Sequence, residues 1–224
     1  MLRSNLFPLA RSLPVYVPPA FAEDRLPVLH DAIRQARLAT LVTLGGDGLE
    51  ASHLPLLLDA DHGPYGTLTG HFSKANPQWR RFSPEVPALA IFTGPDAYVT
   101  PSWYETKKQT GKVVPTWNYV TVHAYGSLEL FDDPDSLRGV VSRLTDTHEA
   151  GRPDAWAVSD APEEFLQGLF KGIVGFRLPI ARIEGKWKLS QNRPAGDRAG
   201  VVEGLRSDGG PAELAVAALM DRET

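Results

Sequence analysis

The chain has 224 residues, 42% of them hydrophobic and 22% charged, with a formal net charge of −4. This length suits one domain with an appendage, and it can bury roughly 70% of its unfolded surface without a covalent staple. Cysteine is absent, which excludes disulfides, thiolate nucleophiles and zinc fingers and points to a cytoplasmic location. The acidic balance lacks the basic footprint of a nucleic-acid binder, and no apolar run reaches the ~18 residues of a membrane span.

Residues 1–14, MLRSNLFPLARSLP, read as a loose N-terminal extension, because their apolar part is too short for a signal segment. A helix is expected over residues 24–37, with Asp24 as N-cap, Pro27 in the first turn and Leu26, Leu29, Ile33 and Ala36 on one stripe. The period then changes. Residues 38–44 and 49–58 read as strands joined by the hairpin sequence GGDG at 45–48. This glycine cluster is not a phosphate loop, since no Lys-Ser/Thr ending and no helix follow it.

Residues 65–72 form a third expected strand. Residues 76–82 read as a short helix, capped by Asn76 and opened by Pro77. Strands at 86–93 and 97–100 flank Gly94-Pro95, and PSWYETKKQTGK (101–112) reads as a mobile polar loop. Residues 116–130 alternate as one long strand. Helices follow at 135–149 and 162–170, a last strong strand at 172–183, and a C-terminal helix from 211 to about 222. Strands in adjacent hairpins argue against a doubly wound parallel sheet. They predict an α+β fold, mainly β with peripheral helices, in which six or seven antiparallel strands close or nearly close a barrel.

Three polar clusters fall at strand ends: GHFSKANPQWRR (70–81), PSWYETKKQTGKVVPTWNY (101–119) and KLSQNR (188–193). An anionic ligand with a flat ring needs charge-assisted donors for its anion and an aromatic or apolar wall for its ring. Ser73, Lys74, Asn76 and Trp79 supply those types, and so do Lys188, Ser190, Gln191, Asn192 and Arg193. The ordinary alternative makes Lys74 and Arg80 solvated charges and Trp79 a packing residue. Among six histidines, His53, His71 and His123 sit on expected strands, but no HxH, HxxxH or HExxH spacing supports a metal site. No GxSxG is present, and Ser52 and His53, adjacent in a strand, point to opposite faces. Glu50, Asp96 and Glu105 are isolated carboxylates.

The blocks VYVPPAF (15–21), LATLVT (38–43), SHLPL (52–56), TGHFSKANPQW (69–79), FTGPDAYVTPSWYETK (92–107), VPTWNYVTVHAYG (114–126), KGIVGF (171–176) and KLSQNRP (188–194) resemble the FMN-binding negative transcriptional regulator family, also called PaiB-like. The resemblance implies an FMN-binding split β-barrel over 15–205, antiparallel and of Greek-key type, with 206–224 left as a C-terminal helical tail. It implies a homodimer with FMN at the subunit interface. Ser73 and Lys74 would be phosphate donors, with Thr69, Asn76 and Trp79 beside them and Gly70 and His71 along the ring. Thr116, Trp117, Asn118 and Tyr119 would come from the partner or the opposite rim, and Lys188, Ser190, Gln191, Asn192 and Arg193 would close the site. The activity implied is a negative transcriptional regulator or flavin-dependent sensor.

Two other readings keep the same barrel. One is an FMN-dependent NAD(P)H oxidoreductase or flavin reductase, with His71 or His123 as proton donor. The other is a haem-binding or haem-degrading protein with His53, His71 or His123 as axial ligand. Direct DNA binding is opposed by the net charge, although a dimer could align Arg80, Arg81, Lys107, Lys108 and Lys112 on one face.

Overall fold

A computed structural model describes residues 15–36 and 38–222, so the expected N-terminal extension and the end of the first helix at Arg37 lie outside the described residues. In chain order the elements are β1 (Ala22–Glu23), α1 (Leu26–Gln35), β2 (Ala39–Gly45), β3 (Gly48–Leu54), β4 (Leu57–Asp59), β5 (Thr67–Ser73), α2 (Gln78–Arg81), β6 (Ala88–Val99) and α3 (Glu105–Thr110). They continue with β7 (Thr116–Gly126), β8 (Glu129–Phe131), α4 (Pro134–Glu149), α5 (Glu163–Phe170), β9 (Ile173–Pro179), β10 (Arg182–Lys188), α6 (Ala195–Asp208) and α7 (Pro211–Arg222). The strands make a six-stranded sheet, β1-β10-β7-β6-β2-β3, and a four-stranded sheet, β4-β5-β9-β8, antiparallel throughout. This is the α+β, antiparallel barrel architecture that the hairpin order predicts.

Three of the expected long strands each break in two, and the halves lie in different sheets. The strand at 49–58 becomes β3 and β4, that at 116–130 becomes β7 and β8, and that at 172–183 becomes β9 and β10. The breaks are the barrel's corners. Pro55 has no N–H with which to continue a ladder. At Gly126 a Cβ would stand 2.1 Å from the carbonyl oxygen of Pro179, so only glycine lets β7 and β9 approach this closely. Ala181 then donates to the Tyr125 carbonyl at 2.8 Å as the chain crosses to the large sheet.

The opposite correction applies at 86–100. The two expected strands are one, β6, whose register against β7 shifts between Thr93 and Asp96. Gly94 and Pro95 form a bulge in a continuous strand.

The sheets share one core. Leu41, Ala90, Phe92 and Val122 from the large sheet meet Leu68, Phe72, Phe176 and Leu178 from the small one. The Phe72 and Phe176 rings lie 4.9 Å apart. On the far side of the small sheet, Leu57 packs with Val140 and Leu144 of α4.

Two helical segments depart from expectation. PSWYETKKQTGK is an ordered turn and helix rather than a mobile loop: Tyr104 is fully buried, and Gly111, at φ 66°, ends α3. Residues 195–208 form α6, where Gly196, Gly200 and Gly204 lie a helical turn apart and disguise a helix as a linker. Their bare face receives the 101–105 segment. A Cβ on Gly200 would fall 2.0 Å from the Trp103 carbonyl oxygen, and one on Gly204 would fall 2.2 Å from its indole. Tertiary packing thus overrides poor helix propensity. Helix α6 runs through the expected boundary at 205, and Val216, Ala217 and Met220 of α7 join the main core.

Gly200→Ala should therefore lower stability by roughly 1–3 kcal/mol through overpacking, despite alanine's better helix propensity. The midpoint of urea unfolding reads this directly, and a rise in midpoint would contradict the packing.

Candidate functional site

The first polar cluster sits where β5 leaves the small sheet. Thr69 and Gly70 are buried, and Gly70 is covered by Leu56 and Phe176. Ser73 is exposed at the strand end. Its Oγ accepts from the Ala75 N–H at 3.3 Å, which leaves the hydroxyl proton uncommitted. Lys74 is anchored through its backbone N–H to Gly172 O at 2.8 Å. Its side chain borders a hollow of about 350 Å³ shared with Arg138 and Lys171. Trp79 Nε1 donates to Lys74 O at 3.3 Å, and the Arg80 guanidinium stands 4.4 Å over the Trp79 ring.

Asn76 and the buried Gln78 that supports it form a partly buried lattice. Asn76 Oδ1 accepts from the Gln78 N–H at 3.0 Å, and Asn76 Nδ2 donates to Ser52 Oγ at 2.7 Å. Gln78 is 2% exposed. Its Nε2 reaches Leu41 O, Thr43 Oγ1 and Glu50 O at 3.0–3.2 Å, and its Oε1 accepts from Ser52. This one amide ties α2 to the β2–β3 hairpin and so fixes the corner that carries Ser73 and Lys74. Gln78 is not among the expected site residues. The available signal was a polar side chain on the sheet-facing side of a very short helix.

The second cluster sits where β7 begins and β10 ends. Lys188 Nζ donates to Thr116 Oγ1 at 2.5 Å and to Trp117 O at 2.8 Å. Its pKa is lowered by burial and by the neighbouring Lys186 and Arg193. The Trp117 ring is 53% exposed and meets Tyr98 edge-on at 5.8 Å. Asn118 is fully buried, with its amide engaged by Ser190 Oγ at 3.1 Å and Met220 Sδ at 3.5 Å. Ser190 holds a left-handed backbone, φ 63°, at the turn after β10. Gln191 bonds the Leu189 N–H and Trp187 O. Asn118, Ser190 and Gln191 therefore brace this turn, while Asn192 points to solvent and Arg193 stacks over Tyr104 at 4.8 Å.

Between the two lies the outer face of the large sheet. Directly paired residues share a face, so the register sets His53, Thr40, Ile91, His123 and Glu184 in one row. Rows nearer Trp117 hold Thr93, Thr121 and Lys186, then Asp96, Tyr119 and Lys188. A cavity of about 520 Å³ opens here, bordered by Trp117, Tyr119, His123 and Lys186. Lys186 and Lys188 lie 5.3 and 5.9 Å from the Tyr119 ring. Leu49, Tyr98 and Trp117 leave this face with exposed apolar surface.

Among the described residues, no hydrogen bond, ion pair or ring contact joins the β5–α2 corner to the β7–β10 end. Within one chain they occupy different sheets. Of the five cations considered for DNA, Arg81 pairs with Glu50 at 3.4 Å, Arg80 covers Trp79 and Lys107 donates to Ser102 at 3.1 Å. No group of three or more potential metal ligands occurs among the described residues, and none of their helices is long and apolar enough to cross a membrane.

Residues 15–182 match the family model described as "Putative FMN-binding domain". The chain belongs to this FMN-binding family. The protease synthase and sporulation protein PAI 2 of Bacillus subtilis is 32% identical, across 92% of this chain and 97% of that protein, in line with the PaiB-like resemblance. An uncharacterised protein of Aspergillus fumigatus is 36% identical, across 91% of this chain and 95% of its own. Among solved structures, the FAD and heme binding protein from Mycobacterium smegmatis aligns with a TM-score of 0.54 at 19% identity, over 84% of this chain and 78% of that one. The flavocytochrome Anf3 from Azotobacter vinelandii aligns with a TM-score of 0.56 at 12% identity, over 75% and 69%. Likeness at these identities concerns the fold.

The donor set fits the phosphate and ring of FMN. Ser73 and Lys74 hold uncommitted donors at one accessible corner, and Trp117 and Tyr119 offer ring faces beside two lysines.

Burial lowers the pKa of His71, and burial leads the lowering at His123, where Glu184 opposes it and Arg182 and Lys186 add to it. In each ring Nδ1 is buried and without a hydrogen-bond partner. Burial therefore disfavours the charged form of both imidazoles. With the folded pKa below the unfolded value of about 6.5, their contribution to stability is complete above that value. It is lost as pH falls through the folded pKa. His71→Gln should flatten the loss of stability below pH 6.5 in urea titrations. An unchanged slope would show that His71 titrates normally.

Proposed function

We propose that the chain is a homodimeric FMN-binding protein of the PaiB-like type that works as a flavin-dependent sensor in negative transcriptional regulation. The observation that carries this reading is the accessible pair Ser73 and Lys74, whose donors are uncommitted while nearly every other polar group in the corner is engaged. Bound FMN supplies a flat, redox-active ring. Lys74 and Ser73 would hold its phosphate by charge-assisted hydrogen bonds.

A second copy is the natural cover for the outer sheet face. Covering Leu49, Tyr98 and Trp117 would remove exposed apolar area from water. It would also let Trp117, Lys188, Asn192 and Arg193 of one copy complete the corner of the other, which a single chain leaves apart. The sensor reading is favoured over an oxidoreductase with a histidine acid. Burial disfavours the protonated form of His71 and His123, and a neutral imidazole is a poor proton donor. Regulation would then run through a partner or through a DNA site not formed by a free basic stripe of this chain.

Two measurements test the proposal. Quenching of FMN fluorescence should saturate, and Lys74→Ala should weaken it by roughly 1.5–3 kcal/mol, the range for a hydrogen bond to a charged group. Affinity unchanged in Lys74→Ala would make this lysine a solvated charge. Light scattering should give the mass of two chains, and Trp117→Asp should shift it to one chain and weaken FMN binding together. A wild-type monomer that binds FMN fully would overturn the interface site.

A further inference from the structure

A second cavity, of about 620 Å³, lies on the helix-covered side of the large sheet. Helix α1 lines one wall with Val28, Ala32 and Ala36, and α7 lines the other with Ala215 and Leu219. Trp187 and Val120 form the floor with the β6 bulge at Gly94-Pro95. None of these residues belongs to the flavin corner.

Helices that face each other with alanines ordinarily close to about 8–10 Å between axes. Here each helix is pinned separately. Leu29 and Ile33 hold α1 to the core, and Val216, Ala217 and Met220 hold α7 to the same core. Their small facing residues leave a slot open rather than closing it. Its volume falls within the range of roughly 300–1,000 Å³ typical of small-molecule sites. Val28, Ala32, Ala36, Ala215 and Leu219 make much of its lining apolar, and its charged or amide residues Arg25, Asp31, Gln35 and Arg222 are exposed to solvent.

The rim charges select the ligand. Arg25 grips Glu23 with two nitrogens, at 2.9 and 2.5 Å, and Asp31 pairs with Arg34 at 3.0 Å. Arg222 is exposed in the last turn of α7 and has no ion-pair partner among the described residues. Among the described residues that line the mouth, Arg222 offers a guanidinium fork with no ion-pair partner, which matches a carboxylate. We infer that the α1–α7 slot binds a small carboxylic acid with an apolar body, its carboxylate at Arg222 and its body between the helices over Trp187.

This site is independent of the flavin reading, although its floor at Thr93, Gly94 and Val120 also borders the outer-face cavity. The test is calorimetric titration of the full chain with decanoate, and with decylamine as the cationic counterpart. Decanoate should bind, and decylamine should bind at least tenfold more weakly. Ala215→Leu fills the slot from a half-buried position and should abolish decanoate binding. Arg222→Gln changes an exposed residue and should weaken decanoate about tenfold, the low end for a charged hydrogen bond. FMN quenching should be unchanged in both variants, which separates failure of the slot from failure of the flavin site. No heat with decanoate, equal binding of the two amphiphiles, or wild-type binding by Ala215→Leu would each overturn the assignment.

Discussion

The close approach of Gly126 to the Pro179 carbonyl decides how the two sheets meet. With no side chain at 126, β7 runs up against the end of β9, and the chain turns at Ile180–Ala181 to re-enter the large sheet as β10. That corner lets Phe72 and Phe176 of the small sheet reach the inner face of the large one. Helices α1 and α7 cover the rest of the inner face. Among the described residues no helix covers the outer face; Val15 and Tyr16 touch it at Glu184 and Lys186, and Leu49, Tyr98 and Trp117 stay exposed.

Much of this was legible in the residues. Hairpin order, the GGDG turn and the alternation of β7 are local signals, and they predict antiparallel sheets with outer helices. The corners were not legible because an alternating run looks the same whether it stays in one sheet or changes sheets halfway. Pro55, Gly126 and Pro179 mark the changes only once their neighbours are known. Helix α6 escaped for a related reason. Three glycines argue against a helix locally, while the packing of Trp103 against them is a long-range effect. Tyr104 likewise reads as part of a polar loop, yet its burial under Arg193 makes that segment part of the scaffold.

The candidate site divides along the same line. Residue types suggest which segments could meet an anionic ring compound, and the family match covers residues 15–182. Types alone did not separate ligand donors from braces. Asn118, Ser190 and Gln191 turn their polar atoms inward, and Gln78, absent from the expected set, holds the corner in place. Ser73 and Lys74 hold uncommitted donors at one end and Asn192 faces solvent at the other, while Lys188 and Arg193 are partly engaged there, in two groups that one chain does not unite. The proposed dimer would resolve that separation, since it would cover the exposed outer face and join the two groups in one step.

The central claim is that this scaffold holds FMN through the Ser73–Lys74 corner. It is tested most directly by the absorbance spectrum of the purified protein after incubation with FMN and desalting, wild type beside Lys74→Ala. The account predicts flavin bands retained by the wild type in roughly equimolar amount and reduced in the variant. A colourless wild-type protein that leaves FMN fluorescence unquenched would contradict it.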